Sequence, residues 1–181
     1  IGLGNVNPIG IRSCYDEGKR GAESIFFDYY RKYNLKMKVA RIFNTYGPDM
    51  NVNDGRVVSN FIVQALKNNS ITVYGNGNQT RSFCYVTDTV DGIKQLMKSK
   101  SSLVGPINIG NPNEISVKKL ANLIKDIIGN RVKISYKKLP LDDPKIRKPD
   151  IQIAKKYLKW KPKIDLNMGL QKTINYFQKV I

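Results

Sequence analysis

The sequence has no histidine and only two cysteines, Cys14 and Cys84, among its 181 residues. Without histidine, neither a Ser-His-Asp triad nor a histidine-ligated zinc site can form. Two cysteines make neither a disulfide framework nor a metal cluster, so a reducing compartment is expected, and we predict a cytoplasmic protein. The chain also lacks an apolar run near the roughly 20 residues that a membrane-spanning helix needs, so no membrane partner is expected.

Acidic residues are scarce. The chain has 14 Asp and Glu and 31 Lys and Arg, which gives a formal net charge of +17. Such an excess can reflect nucleic-acid binding, recognition of a phosphorylated small molecule, or lysine-rich composition. The lysines are scattered over outward helical positions, as in Lys118-Lys119 and Lys155-Lys156. The chain has no zinc-finger spacing, RNP-like strand or base-reading basic helix. We therefore predict a solvated basic surface, a few arginines reserved for phosphates, and no nucleic-acid partner.

Hydrophobic periodicity predicts alternating helices and strands, an order typical of a parallel α/β sheet. Asp88 and Ser116 are the predicted N-caps of two helices, and Gly129 is the predicted C-terminal stop of the second. A loop is predicted at 137–150, followed by two small helices around Trp160 and Pro162. The predicted strands are 38–43, 71–74, 82–86, 106–109 and 132–136, and the other predicted helices begin near Tyr15 and Val58.

The segment 75–78 (GNGN) lies between two predicted strands and contains an Asn-Gly pair, which is a tight-turn signal. A phosphate-binding loop of the dinucleotide type requires a helix directly after its glycines. No helix is predicted here, so this Gly-x-Gly is interpreted as a turn.

Tyr15 and Lys19 are four residues apart at the start of the first predicted helix, so they share a helical face. An ammonium beside a phenol favours the phenolate, which is a usable general base. By itself the spacing is better explained by a core tyrosine beside a snorkelling lysine. In either case we predict a buried face, which also carries Ala22, Phe26, Tyr29 and Tyr33.

Two further segments follow at the distance that one strand requires: 40–48 (ARIFNTYGP) and 54–62 (DGRVVSNFI). In this order the motifs resemble the extended short-chain dehydrogenase/reductases that act on nucleotide sugars. The form of 15–20 (YDEGKR) is most similar to the UDP-glucuronate decarboxylases, whereas 4,6-dehydratases and 4-epimerases more often carry Ser or Ala at the Glu17-Gly18 positions. The resemblance runs from residues 4–8 to Gly169-Leu170, through 75–81 (GNGNQTR) and 142–150 (DDPKIRKPD).

The resemblance implies an α/β fold with two parts. Residues 1–110 would form the C-terminal part of a Rossmann-type parallel sheet, with 45–80 contributing to the substrate site, and 111–181 a smaller substrate-binding domain. Family members bind the pyrophosphate of NAD with a strand, a glycine-rich turn and a helix that precede the tyrosine, and the 14 residues before Tyr15 cannot contain that unit. The family's Thr/Ser-Ser/Thr-Glu segment is also absent before Gly4. We therefore expect a C-terminal half that is inactive alone.

The resemblance also implies roles for individual residues. Tyr15 would be the catalytic acid/base, and Lys19 its neighbour that binds the NAD ribose. Thr45 and Arg56 would contact NAD, although a turn cap and a surface charge are the alternatives for them. No metal is implied. The implied substrate-binding residues are Asn44, Val58, Asn60, Phe61, Thr72, Val73, Tyr74, Arg81, Asn108 and Arg147, among which the two arginines would grip the diphosphate or the sugar acid.

The implied activity is NAD-dependent decarboxylation of a UDP-sugar, UDP-glucuronate, to UDP-xylose through a 4-keto sugar, in a homodimer that pairs through the helix from Tyr15 to Tyr33. The 4-keto group would lie beta to the carboxylate, so that loss of CO2 leaves an enolate. A dTDP-glucose 4,6-dehydratase or a UDP-hexose 4-epimerase is the alternative among enzymes. A non-catalytic fragment that binds a nucleotide sugar or another polyanion is the alternative of another class.

Overall fold

The computed structural model describes residues 7–11, 13–129, 132–139 and 146–181, with the backbone alone at 146–147. Residues 4–6 and 142–145 of the motifs above lie outside the described residues. Within these ranges the helices are α1 (Ser13–Tyr33), α2 (Val57–Leu66), α3 (Val86–Lys98), α4 (Val117–Ile128) and α5 (Leu166–Val180), and a π-helical turn spans Ala154–Leu158. None of these helices is both long and apolar enough to cross a bilayer.

Short strands pair mostly in parallel, which confirms the predicted α/β class. The strands are β1 (Ala40–Ile42), β2 (Thr45–Tyr46), β3 (Ile71–Tyr74), β4 (Thr80–Ser82), β5 (Cys84–Tyr85), β6 (Ile107–Ile109), β7 (Glu114–Ser116), β8 (Ile134–Lys137) and β9 (Ile146–Arg147). β1 pairs with β6, β2 with β5, and β3 with β8, all in parallel. β4 pairs with β7 in antiparallel and with β9 in parallel orientation.

The caps of α4 are as predicted. The Ser116 hydroxyl oxygen accepts a hydrogen bond from the Lys119 backbone N–H at 3.2 Å. Gly129 ends the helix with a φ of 73°, in the left-handed region that favours glycine. The turn at Gly75 and Gly77 leads into β4 rather than into a helix, as predicted.

Asp88 is not the N-cap of α3, and that prediction is wrong. The helix begins at Val86, so Asp88 lies in its first turn, and its side chain is buried. One carboxylate oxygen accepts the backbone N–H groups of Lys163 at 3.0 Å and Ile164 at 2.9 Å. The carboxylate therefore ties the segment before α5 to α3 and does not cap its own helix.

The prediction of two small helices near Trp160 is half correct. The π-helical turn spans only 5 residues, but α5 spans 15. The second helix is longer because its apolar positions Leu170, Ile174 and Phe177 continue one buried stripe. Asp165 caps it by accepting the Met168 backbone N–H at 2.9 Å.

The buried residues form two hydrophobic clusters. The larger one joins α2, β3, α4 and α5, with Ile62, Leu120 and Phe177 at its centre. The smaller one joins Leu96 of α3 to Ile109 and to the segment that contains Trp160. The division into 1–110 and 111–181 stays a prediction.

The predicted burial of the α1 face is wrong, since α1 has no buried residue in this structure. Tyr15, Phe26, Tyr29 and Tyr33 are each more than half exposed. The helix is attached by a bidentate ion pair in which Arg41 on β1 donates to the Glu23 carboxylate at 2.6 and 2.8 Å. The described part of the chain contacts α1 through Glu23, and it does not cover the aromatic face of the helix.

Candidate functional site

A cavity of about 290 Å³ lies where α2, β3 and β4 meet. It contains five of the predicted substrate-binding residues, Asn60, Phe61, Thr72, Tyr74 and Arg81. The other residues that line it are Gly55, Val57, Gln64, Gln79, Val117 and Lys137.

One wall of the cavity is a single face of α2. Val57, Asn60, Phe61 and Gln64 line it, and their spacing of three, four and seven residues places them on one side of a helix. Phe61 is 2% exposed and supplies an apolar surface. The Asn60 amide donates to the carbonyl oxygen of Gly55 at 3.0 Å, which fixes the loop before the helix.

The adjacent wall is the edge of β3 that does not pair with β8. The Thr72 backbone N–H donates to the Gln64 side-chain oxygen at 2.9 Å. The Tyr74 carbonyl oxygen accepts from the Gln79 amide at 2.8 Å. The side-chain amides of Gln64 and Gln79 therefore both bond the backbone at this edge of β3.

Arg81 brings a buried positive charge to the cavity. Arg81 is 9% exposed, and its guanidinium donates to the Thr80 carbonyl oxygen at 2.8 Å. Lys137 is the second cationic residue in the lining, and no carboxylate lines the cavity among the residues that the structure describes. The site is thus suited to an anionic ligand.

The two predicted substrate arginines are neighbours in the backbone. β9 pairs with β4 so that Arg147 stands opposite Arg81. The Arg147 side chain lies outside the described part of the chain, so its predicted role stays a prediction.

Tyr15 and Lys19 lie together in the first two turns of α1. The Lys19 ammonium nitrogen is 5.6 Å from the centroid of the Tyr15 ring, within the range of a cation–π contact. Tyr15 is 59% exposed, and Lys19 is exposed as well. The pair is therefore accessible to a ligand, as the predicted catalytic role requires.

Asn44, Thr45 and Asn108 lie outside the cavity lining and bond within the chain. The Asn44 amide donates to the Ser82 carbonyl oxygen at 3.0 Å, and the Asn108 amide to that of Asp150 at 2.8 Å. The Thr45 and Thr89 hydroxyl oxygens are 3.0 Å apart. These contacts account for the amide and hydroxyl positions without a ligand, and their ligand roles stay predictions.

Val58 and Val73 also lie outside the cavity lining, and both are buried in the larger cluster at 2% and 0% exposure. Arg56 precedes α2, and its backbone N–H donates to Asp54 at 2.9 Å. Its side chain is 67% exposed, with Nε 3.6 Å from the second Asp54 oxygen. The predicted contacts of these three residues with a ligand stay predictions.

The sequence analysis missed three polar residues of the cavity, Gln64, Gln79 and Lys137. Gln64 could have been found, because it follows the predicted residues Asn60 and Phe61 by four and three positions on the predicted helix. Gln79 lies inside the motif GNGNQTR. Lys137 has no local signal, since only the parallel pairing of β3 with β8 brings it to the cavity.

Burial changes the acidity of three groups in the hydrophobic clusters. It raises the pKa of the Cys84 thiol to about 11 and raises the pKa of the Tyr46 and Tyr85 hydroxyls above their ordinary value. Within the described ranges, no group of three or more acidic or cysteine side chains could hold a metal ion.

Comparison with known proteins gives consistent results. Residues 4–173 match the family described as GDP-mannose 4,6 dehydratase. UDP-glucuronic acid decarboxylase 5 of Arabidopsis thaliana is 56% identical over 167 residues, 92% of this chain and 48% of the relative. UDP-glucuronic acid decarboxylase 1 of Xenopus tropicalis is 53% identical over 176 residues, 97% of this chain and 41% of the relative. The chain thus spans less than half the length of these relatives.

A solved structure of similar fold is the UDP-glucuronic acid 4-epimerase from Bacillus cereus in complex with UDP-glucuronic acid and NAD. The two superimpose with a TM-score of 0.86 at 26% identity, over 92% of this chain and 53% of the epimerase chain. Its Rossmann-type architecture confirms the predicted fold class. The chain belongs to the GDP-mannose 4,6 dehydratase family of extended short-chain dehydrogenase/reductases.

Proposed function

We propose that this chain forms the substrate-binding half of a NAD-dependent UDP-glucuronate decarboxylase, which converts UDP-glucuronate to UDP-xylose. The observation that carries the proposal is the cavity, where residues from α2, β3 and β4 meet around the buried Arg81. The identity of 56% and 53% to two UDP-glucuronic acid decarboxylases supports the choice of reaction.

The cavity can bind a nucleoside diphosphate in two parts. Phe61 and Val57 offer an apolar wall for a flat base, and the side-chain amides of Gln64 and Gln79 offer polar groups beside it. The Arg81 guanidinium is planar and matches the oxygens of a phosphate. Arg147, which stands opposite Arg81 in the backbone register of β4 and β9, would be a further contact of the diphosphate.

The exposed pair Tyr15 and Lys19 fits the ribose end of NAD, because a phenol and an ammonium on one helical face can both bond ribose hydroxyls. Among the residues that the structure describes, no glycine-rich turn leads into a helix, so none of them forms a pyrophosphate cradle. NAD, when bound, would accept hydride from C4 of the sugar and return it later.

The chemistry of this chain's own residues would be proton transfer and positioning. The Tyr15 phenolate would take the proton of the sugar O4 hydroxyl, and the Lys19 ammonium would stabilise the phenolate. Arg81 would hold the diphosphate, so that the sugar is presented in one orientation. The phenol would return its proton to O4 at the end of the cycle.

The test is turnover of UDP-glucuronate by the full-length protein. We expect release of CO2 and formation of UDP-xylose without net accumulation of NADH, since the hydride removed is the one put back. Conversion of a neutral hexose nucleotide to its 4-epimer or its 4-keto-6-deoxy form, with no reaction of UDP-glucuronate, would contradict the decarboxylase assignment and favour the other enzymes. Tight binding of UDP-glucuronate without any turnover would favour a non-catalytic binder.

We also propose that the full-length protein is a homodimer that pairs through α1. This helix exposes Ile25, Phe26, Tyr29 and Tyr33 to more than half of their surface, and such an apolar face is typical of an interface. Sedimentation at micromolar concentration should give the mass of a dimer, and Phe26→Asp should shift it to the monomer. A wild-type monomer under these conditions would contradict the proposal.

The cytoplasm is the proposed location, because both cysteines are free in the structure and a reducing compartment keeps thiols in that form. Fractionation with an antibody to the native protein tests it. Recovery in a membrane or secreted fraction would contradict the proposed location.

A further inference from the structure

We infer that Lys137 is a second phosphate-binding cation of the cavity, and that with Arg81 it selects a nucleoside diphosphate over nucleosides with fewer phosphates. The inference rests on the proposed function, because it assumes that the cavity holds the nucleotide part of the substrate.

Strand pairing brings Lys137 to the cavity. Lys137 stands opposite Tyr74 in the parallel register of β3 and β8. Its carbonyl oxygen accepts the Gly75 backbone N–H at 2.8 Å, so the last residue of β8 is held beside the end of β3. Residues opposite each other in a sheet project to the same face, and both Tyr74 and Lys137 line the cavity.

The charges of the cavity favour a ligand with at least two negative charges. Arg81 and Lys137 come from different strands, β4 and β8, and both line the cavity. Within the described ranges, no ion pair to Lys137 is found. A nucleoside diphosphate supplies anionic oxygens for both cations, whereas a nucleoside supplies none.

The two cations differ in how they can act. The Arg81 guanidinium is buried and fixed by its bond to the Thr80 carbonyl oxygen. Lys137 is exposed and carries its charge on a flexible stem that can follow a phosphate. Arg81 therefore fixes the position of the diphosphate, and Lys137 adds charge at the solvent side.

Calorimetric titration of the full-length protein with UDP, UMP and uridine tests the inference. Lys137→Met should weaken UDP binding about fivefold, as expected for a partly exposed ion pair, and should leave uridine binding unchanged. Lys137→Arg should retain most of the UDP affinity because it keeps the charge. The matched control is Lys138→Met, since Lys138 is the next residue, is also exposed and does not line the cavity.

Salt provides a second measurement on the same proteins. Added NaCl should lower the UDP affinity of Lys137→Met less steeply than that of the wild type. The variant lacks the pair between the Lys137 ammonium and a phosphate, which salt would screen. A thermal melt of each variant checks that the protein is folded, and an exposed lysine is expected to leave it unchanged.

The outcomes separate the inference from the proposed function. Equal UDP affinities of the wild type and Lys137→Met would overturn the inference and leave the proposed function standing. An equal loss of UDP and uridine affinity would place Lys137 at the base or ribose and would also overturn it. Wild-type protein that binds neither UDP nor UDP-glucuronate would overturn the proposed function and, with it, the inference.

Discussion

The hydroxyl oxygen of Tyr46 occupies the space into which a side chain at Gly169 would project. An ideal Cβ atom on Gly169 would overlap this oxygen and lie 2.9 Å from Tyr46 Cζ. Tyr46 is 2% exposed, and its hydroxyl donates to the Leu166 carbonyl oxygen at 3.3 Å. Its ring also packs edge-on against Tyr85, with centroids 5.7 Å apart. The close approach of α5 to β2 therefore requires glycine.

Gly169→Ala should lower the free energy of unfolding by about 1 to 2 kcal/mol. Overpacking of a rigid core costs about 1 to 3 kcal/mol, and the better helix propensity of alanine offsets up to about 1 kcal/mol of it. Urea unfolding measures the change. Gly21→Ala on α1 is the control, since nothing lies near its added Cβ and it should be neutral or stabilising. Equal effects of the two substitutions would contradict the packing explanation.

Asp88→Ala should cost about 3 kcal/mol of unfolding free energy, because it leaves the backbone N–H groups of Lys163 and Ile164 without their acceptor. Asp88→Asn should cost less, since the amide retains one oxygen. Asp91→Asn on the same helix is the control and should stay within about 0.5 kcal/mol of the wild type. A mild effect of Asp88→Ala would mean that this carboxylate does not hold the segment before α5.

Cys84 should make the protein less stable in alkali. Burial raises the pKa of its thiol to about 11, against 9.0 for an ordinary cysteine. Between these values the unfolded chain loses the thiol proton while the native state keeps it, so stability falls with rising pH by up to about 1.4 kcal/mol per pH unit. Below pH 9 both states are protonated, and above pH 11 both are ionised, so the effect is confined to that window.

Cys84→Ala isolates this contribution. The stability of the wild type relative to the variant should decline by about 2 to 3 kcal/mol between pH 9 and 11, measured by urea unfolding under reducing conditions. The Tyr46 and Tyr85 hydroxyls are present in both proteins, so the part of their alkaline effects that burial causes cancels in the difference. A difference that stays constant with pH would show that the thiol ionises equally in both states.

Tyr15→Phe should reduce CO2 release from UDP-glucuronate by the full-length protein ~100-fold to ~10,000-fold, since the variant lacks the oxygen that accepts the O4 proton. Lys19→Met should be nearly as harmful, because it removes the ammonium beside the Tyr15 phenol. Steady-state rates of CO2 release measure both effects. Tyr29→Phe, farther along α1, is the control and should retain activity. A Tyr15→Phe enzyme of wild-type rate would exclude Tyr15 as the base.

Local features of the chain predicted most of the secondary structure. The apolar stripe of α4, its cap at Ser116 and its stop at Gly129 lie within a few residues of each other, so each is decided by short-range contacts. Asp88 shows the limit of such reasoning. It has the residue type and position typical of an N-cap, but backbone groups from a distant segment provide its partners.

The candidate site could be predicted in part. Its motif residues Asn60, Phe61 and Arg81 were identified from the resemblance and lie in one cavity. Val58 and Val73 belong to the same motifs but do not line the cavity. Val73 alternates with Thr72 and Tyr74 along β3 and so projects to the opposite face, whereas Val58 is turned by about 100° from Val57 around α2. Motif membership does not distinguish these directions, whereas strand pairing and helix packing do.

By itself, the sequence determined the α/β pattern, the family motifs and the exclusion of histidine-dependent chemistry, because these depend on composition and on neighbours along the chain. Only the tertiary structure decided that Lys137 and Arg81 line one cavity, that Asp88 binds the segment before α5, and that the described part of this chain leaves the aromatic face of α1 uncovered. Such contacts join segments far apart in the chain. They form where the total burial and hydrogen bonding of the fold are most favourable, and no local pattern encodes that sum.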